Sequence, residues 1–189
     1  MKREVCANYG SNRYNGEQSH VQRQAESPVQ SVWTAICVIS GGQTGVDRAA
    51  LDAALDFGLR IGGWCPKGRR AEDGRIPERY ALHETESMDY AIRTKLNVRY
   101  SDASLILIRK TLQGGTLLTR RYAEMYRKEF WITALEPNRE MQNVADWLKR
   151  NAVHRLNVAG PREGNAPGIY TQSYKWLQQL FEIWTLNQH

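Results

Sequence analysis

Cysteine is scarce in this sequence, and long apolar segments are missing. The 189 residues include three cysteines, and such an odd, scattered set argues against a disulfide framework and favours a reducing compartment. No apolar run approaches the roughly 18 residues that span a membrane, and no apolar segment follows residues 1–6 as it would in a secretory signal. These absences exclude a collagen or a disulfide-rich miniprotein, and we expect a cytoplasmic protein without a membrane partner.

Signatures of metal binding and of triphosphate binding are also missing. The four histidines and three cysteines share no spacing that is typical of metal ligands, so we predict no structural metal. The glycine-rich segment 40–45 is not followed by the Gly-Lys-Ser/Thr of a Walker A loop, and it does not match G-x-G-x-x-G. No Ser/His/Asp arrangement can be argued, so the sequence leaves open whether the protein is an enzyme.

Positive charge is what the sequence has in excess. It contains 26 Lys and Arg residues, 19 of them Arg, against 20 Asp and Glu residues, for a net charge of +6. Residues 1–30 hold no sustained apolar pattern and carry only +1, so we predict a disordered tail there and a single ligand-binding domain over 31–189. Because most of the charge falls in the domain, we expect an anionic small molecule as partner and rank nucleic acid last.

From residue 32 onward, short apolar segments alternate with segments of helical periodicity. Continuous β-branched runs predict buried strands, and apolar residues at helical spacing predict helices. Their alternation predicts an α/β fold, a Rossmann-like, doubly wound, mostly parallel five-stranded sheet with helices on both faces. The predicted strands are 32–40, 59–65, 104–108, 130–135 and 156–159, and the predicted helices are 46–57, 87–99, 116–128, 140–151 and 169–184.

The loop after the first predicted strand is rich in glycine. In a parallel sheet, all loops that follow strands leave at one edge, where ligands bind. The segment 40–45 can turn tightly and bring backbone amides to an anion, so we favour phosphate or oxyanion binding over a plain tight turn. Thr44 and Asp47 also fit a capping box, so Asp47 either caps the following helix or contacts the ligand.

Three further loops at the same edge carry glycine or basic residues. The segment 65–77 holds four cations, which suit either a bound anion or a solvated surface. The segment 113–116 opens a helix, so its amides either bind an anion or are capped by Thr116. In the segment 159–164, Arg162 either reaches the same anion or pairs with Glu163.

Five segments of the chain resemble a known family, the molybdenum carrier family, which is also described as circularly permuted YpsA-like within the SLOG group of nucleotide-related, Rossmann-like proteins. The resemblance covers about residues 35–184, with the motifs in the same order. The segments are SGGQTGVDRAALDAAL (40–55), GWCPKGRRAEDGRIPERY (63–80), RTKLNVRYSDASLIL (93–107), GGTLLTRR (114–121) and LNVAGPREGNAPGIY (156–170).

The resemblance implies a Rossmann-like fold, a pocket at the carboxyl ends of the strands, and a homo-oligomer. It also implies a bound ligand, either molybdenum cofactor, a phosphorylated pterin that carries an oxyanion metal, or a nucleotide. The ligand-binding residues carried over from the motifs are Gly41, Gly42, Gln43, Thr44, Gly45, Asp47, Arg48, Lys67, Arg69, Arg70, Asp73, Gly74, Arg93, Thr94, Asn97, Gly114, Gly115, Thr116, Gly160 and Arg162.

One departure bears on catalysis. The related cytokinin-activating phosphoribohydrolases carry Gly-Gly-x-Gly-Thr-x-x-Glu, in which the Glu serves catalysis, and Thr119 stands where that Glu would be. We therefore expect a binding or carrier protein for a phosphorylated or oxyanionic molecule. The alternative is a hydrolase on a nucleotide-like ligand, in which Asp47, Asp73 or Glu163 would supply the carboxylate.

Overall fold

The computed structural model describes residues 36–109, 114–135 and 140–186. The tail predicted over 1–30 lies outside these ranges. Within them strands and helices alternate, except that five short strands follow one another between the first two helices. The strands are β1 (Cys37–Ile39), β2 (Arg60–Gly62), β3 (Trp64–Cys65), β4 (Arg70–Ala71), β5 (Gly74–Arg75), β6 (His83–Glu84), β7 (Ala103–Ile108), β8 (Glu129–Ala134) and β9 (Arg155–Ala159), and the α-helices are α1 (Val46–Asp56), α2 (Tyr90–Arg99), α3 (Gly114–Met125), α4 (Met141–Arg150) and α5 (Ile169–Leu186).

Five of these strands form one sheet in the order β2-β1-β9-β7-β8. Every pairing in it is parallel, and in the centre Val38 lies beside Ile61 on one side and Leu156 on the other. The predicted Rossmann-like α/β fold is therefore confirmed. Because β1, β9 and β7 are neighbours that run in one direction, the loops that follow them leave the sheet side by side.

Helices cover both faces of this sheet. On one face α5 packs against α1 and α4, and on the other face α2 packs against α3. Half of the buried residues of α1 are alanines, which suits close packing of helices, whereas α5 buries mostly large side chains. The buried alanines of α1 are Ala49, Ala50, Ala53 and Ala54, and the large buried residues of α5 are Trp176, Leu177, Leu180, Phe181 and Trp184.

The second predicted strand, 59–65, is divided at Gly63. Its first part is β2 in the main sheet, and its second part is β3, which pairs with β6 in a separate two-stranded sheet. Gly63 has a φ of 127°, and the backbone of Ser40 occupies the space that a Cβ would need there. Only glycine allows the chain to bend this close to its neighbour, so the predicted continuous strand is wrong beyond Gly62.

Residues 66–82, here called the strap, are folded around the side chain of Arg69. This side chain is buried, and its guanidinium donates hydrogen bonds of 2.9–3.2 Å to four carbonyl groups of the strap itself. The predicted ligand contact at Arg69 is therefore wrong, because its donors are used inside the protein. The four acceptors are the carbonyls of Ile76, Pro77, Tyr80 and Leu82.

The strap is also tied to α1 and α5 through the carboxylate of Asp52. This carboxylate accepts hydrogen bonds from the hydroxyls of Tyr80 at 3.0 Å and Tyr170 at 2.8 Å, and from Nη2 of Arg79 at 2.9 Å. Burial, together with the hydrogen bond to Asp52, raises the pKa of Tyr170, so its phenol stays a donor at neutral pH. The strap is thus a fixed part of the fold.

The role of Arg69 predicts a large difference between two adjacent arginines. Arg69→Met leaves four carbonyls without their donor, and each unsatisfied buried polar group costs about 1–3 kcal/mol. We expect the free energy of unfolding to fall by about 3 kcal/mol or more in urea denaturation. Arg70→Met, at an exposed neighbour, is the control, with an expected change within about 0.5 kcal/mol; equal effects would contradict the assignment.

Two buried serines give a matched pair of stability predictions. The hydroxyl of Ser173 in α5 has no hydrogen-bond partner among the described residues, whereas the Ser104 hydroxyl accepts a 2.9 Å bond from the Asn157 amide. Ser173→Ala removes an unpaired buried hydroxyl and is expected to raise stability by about 1 kcal/mol. Ser104→Ala leaves the side-chain amide of Asn157 without its acceptor and is expected to lower stability by about 1–3 kcal/mol. Thermal melts that show both variants destabilised alike would count against this account.

Candidate functional site

A cleft of about 590 Å³ opens at the edge of the sheet where β1, β9 and β7 end. Its walls come from the loop after β1, the first half of α2, the residue after β7, the start of α3 and the loop after β9. The described residues that line it are Gln43, Tyr90, Arg93, Thr94, Arg109, Gly114, Gly115, Thr116, Leu118, Gly160, Pro161, Arg162, Asn165, Ala166 and Pro167.

The loops after β1 and β9 are in close backbone contact at Gly45. This residue has a φ of 75°, and a Cβ built on it would lie 2.5 Å from the carbonyl oxygen of Pro161 and 2.7 Å from the amide nitrogen of Glu163. The amide of the next residue, Val46, donates a 3.1 Å hydrogen bond to that same carbonyl. Glycine is therefore needed twice here, for the backbone conformation and for the close approach.

The first glycine loop rests on a buried ion pair. Nη1 of Arg93 lies 2.9 Å from Oδ2 of Asp47, whose side chain is only 4% exposed. Burial raises the pKa of Asp47, although the charge of Arg93 and the amide of Gln43 oppose that shift. A Cβ on Gly41 would overlap the guanidinium of Arg93. Arg93 thus joins α2 to the loop after β1 and at the same time lines the cleft.

Neither residue of the predicted capping box caps α1. Gly45 precedes the helix and makes no side-chain cap, and the amides of Val46 and Arg48 donate to backbone carbonyls instead. Asp47 faces Arg93, while the hydroxyl of Thr44 donates a hydrogen bond to the carboxylate of Glu72 in the strap. The capping prediction is wrong because the Asp47 carboxylate is bound by Arg93 and by the Gln43 amide of the preceding loop at 3.4 Å, while Glu72 takes the Thr44 hydroxyl.

Gln43 presents donors to the cleft. Its Oε1 accepts hydrogen bonds from the amides of Thr44 at 3.0 Å and Glu72 at 2.9 Å, which fixes the orientation of the side-chain amide. Gln43 is 8% exposed, and its Nε2 has no partner within the described ranges. Because Gln43 lines the cleft, two N–H donors are available there for a ligand oxygen.

Arg109 is a cleft residue that sequence reasoning missed. It directly follows β7, and its Nη2 donates to the carbonyl of Pro167 at 2.8 Å and to Oε1 of Gln172 at 3.1 Å. These acceptors are neutral, so they position the guanidinium and leave its charge unpaired by a carboxylate in the described structure. Its position in the sequence could have identified Arg109, because a basic residue at the carboxyl end of a central strand lies at the edge of the sheet where ligands bind.

Arg162 and Glu163 do not pair with each other. The carboxylate of Glu163 accepts hydrogen bonds from the amides of Gly168 and Tyr170 and so caps the start of α5. Nε of Arg162 lies 3.6 Å from Oε2 of Glu72, which is an ion pair longer than a hydrogen bond. Of the two predicted alternatives, the Arg162–Glu163 pair is wrong, and Arg162 lines the cleft.

The start of α3 forms another wall of the cleft. The helix begins at Gly114, which has a φ of 53°, and Thr116 lies in its first turn. The free amides at a helix start carry partial positive charge and favour anions. Thr119 is 2% exposed, and its hydroxyl bonds to the carbonyl of Gly115 one turn earlier at 3.0 Å.

Several predicted contacts do not line the cleft. Arg48 makes a bidentate ion pair with Asp73, in which Nη2 lies 2.8 Å from Oδ1, and these hydrogen bonds lower the pKa of Asp73. The side chain of Asn97 bonds to both the amide and the carbonyl of Trp64 at 2.7 and 3.1 Å. The other predicted residues outside the lining lie in three places. Arg69 is inside the strap, and Lys67, Arg70 and Gly74 are on its exposed surface. The loop after β1 and the start of α1, beneath the cleft, contain the rest, which are Gly41, Gly42, Thr44, Gly45 and Asp47.

The cleft is electropositive and has an apolar portion. Three arginines line it, at 93, 109 and 162, and its described lining includes no Asp or Glu. Leu118, Pro161 and Ala166 contribute apolar wall beside them. Such a site suits a molecule with an anionic group and an organic body. Within the described ranges, no helix is long and apolar enough to cross a bilayer, and no group of three or more His, Cys, Asp or Glu residues forms a metal site.

The fold and this edge site define a Rossmann-like protein of the SLOG type. Residues 38–181 match the circularly permutated YpsA SLOG family, and the chain belongs to that family. A similar solved structure is that of a "Putative molybdenum carrier protein" from Syntrophus aciditrophicus, which is 43% identical, covers 80% of this chain and 96% of its own, and has a TM-score of 0.71. No curated protein matches the chain.

Two glycines with positive φ values give a test of loop packing. Gly45 and Gly58 have φ values of 75° and 79°, and Gly45 combines its φ with a ψ of −129°, whereas nothing lies within 4 Å of a Cβ built on Gly58. Gly58→Ala is therefore expected to cost only the left-handed strain, about 1–2 kcal/mol. Gly45→Ala adds the strain of this φ/ψ combination and a collision with the loop after β9, so we expect a clearly larger loss of stability in denaturant unfolding. Equal losses would show that the two loops are not packed as described.

Proposed function

We propose that the protein binds and carries a phosphorylated or oxyanionic small molecule in this cleft, with molybdenum cofactor as the candidate cargo. The observation that carries the proposal is the convergence of Arg93, Arg109 and Arg162 on a cleft without a carboxylate in its described lining. Membership of the circularly permuted YpsA family and the name of the Syntrophus relative support it. A nucleotide is the second candidate ligand, since it offers the same anionic chemistry.

The residues present fit such a cargo. The guanidinium groups of Arg109 and Arg162, the free Nε2 of Gln43 and the amides at the start of α3 are all hydrogen-bond donors. Donors of this kind bind phosphate or oxo groups and do not ligate a metal. A volume of about 590 Å³ is that of a small-molecule site, where sites span roughly 300–1,000 Å³, so the cargo has an organic body as well as its anionic group.

The carboxylates that a hydrolase would need all have other partners in the described structure. Asp47 is buried against Arg93, Asp73 is paired with Arg48, and Glu163 caps α5. Thr119 brings no acid or base to the cleft. These contacts favour a carrier over an enzyme, because a general base must reach the proton that it removes.

We also propose that the protein is cytoplasmic, from its few, scattered cysteines, and a homo-oligomer, as the family resemblance implies. Exposed apolar side chains support an interface on the layer formed by α2 and α3. Ile92 of α2 and Met125 of α3 are 38% and 65% exposed, and Met88, just before α2, is 53% exposed. Sedimentation at several concentrations tests this proposal, and a single monomeric species throughout would contradict it.

Loss of either free arginine should weaken binding of an anionic probe. Arg109→Ala and Arg162→Ala each remove a charged donor, which is worth about 1.5–3 kcal/mol, so we expect at least a tenfold rise in Kd by isothermal titration with a nucleoside monophosphate or molybdenum cofactor. Arg150→Ala, at the exposed end of α4, is the matched control and should leave Kd unchanged.

Two results of these titrations would contradict the proposal. If wild-type protein binds neither probe, or if all three variants bind alike, the cleft is not the anion site. Raising the salt concentration should weaken binding further, because the interaction is electrostatic and partly exposed to solvent.

A further inference from the structure

The carboxylate of Glu72 holds together three segments at the rim of the cleft. It accepts hydrogen bonds from the hydroxyl of Thr44 and, at 2.9 Å, from the amide of Gly164. Its own amide donates to Oε1 of Gln43 at 2.9 Å. Glu72 thus joins the strap to the loop after β1 and the loop after β9, and it is not itself among the lining residues.

Arg162 is held only loosely by this carboxylate. Its Nε lies 3.6 Å from Oε2 of Glu72, which exceeds the 2.7–3.2 Å range of an N–H···O hydrogen bond. Its side chain is 46% exposed, and its two Nη groups have no hydrogen-bond partner among the described residues. Arg162 therefore has most of its donors free while it rests against a negative charge.

The neighbouring carboxylate behaves differently. Asp73 forms a bidentate pair with Arg48, and neither residue lines the cleft. That pair has the geometry of a fixed structural contact. The contact between Arg162 and Glu72 is not bidentate, and Arg162 lines the cleft. Glu72 and Asp73, although adjacent in the strap, therefore have separate roles.

We infer that Glu72 is a specificity-determining residue that limits how strongly the cleft holds anions. Arg162 rests against Glu72 when the cleft is empty and turns its free donors to the anionic group of a ligand when one binds. The remaining negative charge of Glu72 opposes that anion, and it opposes a dianion more than a monoanion. This weakens the hold on the cargo, which suits a carrier that must release it. The inference rests on the proposed function.

Glu72→Gln is the direct test. Gln keeps an oxygen that can accept from Thr44 and Gly164 but removes the charge, so the loops stay joined. We expect Kd for a nucleoside monophosphate, as dianion, to fall about threefold to tenfold, and the gain to be smaller for a monoanionic cyclic phosphate of the same nucleoside. Asp73→Asn, the same charge change one residue away, is the control and should change Kd much less.

A double-mutant cycle identifies the residue through which Glu72 acts. In an Arg162→Ala background, the gain from Glu72→Gln should be clearly smaller, because only the direct repulsion between Glu72 and the anion is left to remove, whereas in an Arg109→Ala background the full gain should persist. Unchanged or weaker binding by Glu72→Gln overturns the inference, as does a gain that Arg162→Ala leaves undiminished or that equals the gain from Asp73→Asn. If wild-type protein binds neither phosphate probe, the proposed function itself fails, and that result is distinct from wild-type binding without a gain.

Discussion

The buried ion pair between Arg93 and Asp47 is the constraint on which the cleft depends. It links α2 to the first turn of α1, and its guanidinium fills the space beside Gly41 that any larger residue would need. Removing one partner of a buried pair leaves an isolated charge and typically costs about 3–5 kcal/mol. Because Arg93 also lines the cleft, the contact that fixes the glycine loop also contributes to the wall of the site.

The positive charge of the chain is divided between structural and binding roles. The guanidinium of Arg69 donates its hydrogen bonds to carbonyls of the strap, and Arg48 pairs with Asp73. Arg109 is held by neutral acceptors, and Arg162 rests loosely against Glu72. The net charge of +6 therefore says less about function than the placement of these two arginines, which line the cleft.

The fold was predictable from the sequence because it depends on local patterns. The alternation of apolar strands and amphipathic helices indicated a parallel sheet, and that sheet is confirmed. The edge of the sheet that carries the cleft followed from the same topology, and Gln43, Gly115 and Gly160, which were predicted there, line the cleft. The bend at Gly63 was missed because it results from contact with Ser40, which is distant in sequence.

Individual side-chain roles were harder to predict. Arg69 looked like an anion ligand because it stands among other cations, but burial gives it four carbonyl partners. The sequence around Asp47 fits a capping box, but in the structure its carboxylate pairs with Arg93, which is 46 residues away. Arg109 carried no motif, and only its place after β7 brings it to the cleft. Motifs locate a site, but the tertiary contacts of each side chain decide what it does there.

Native mass spectrometry of the freshly purified full chain shows whether the cleft arginines hold a cargo. We predict a retained organic anion that contains phosphorus, at one per chain, and its loss when Arg109 and Arg162 are both replaced by Ala. The same ligand mass retained equally by the double variant would contradict the account, because the cleft arginines would then not hold the cargo.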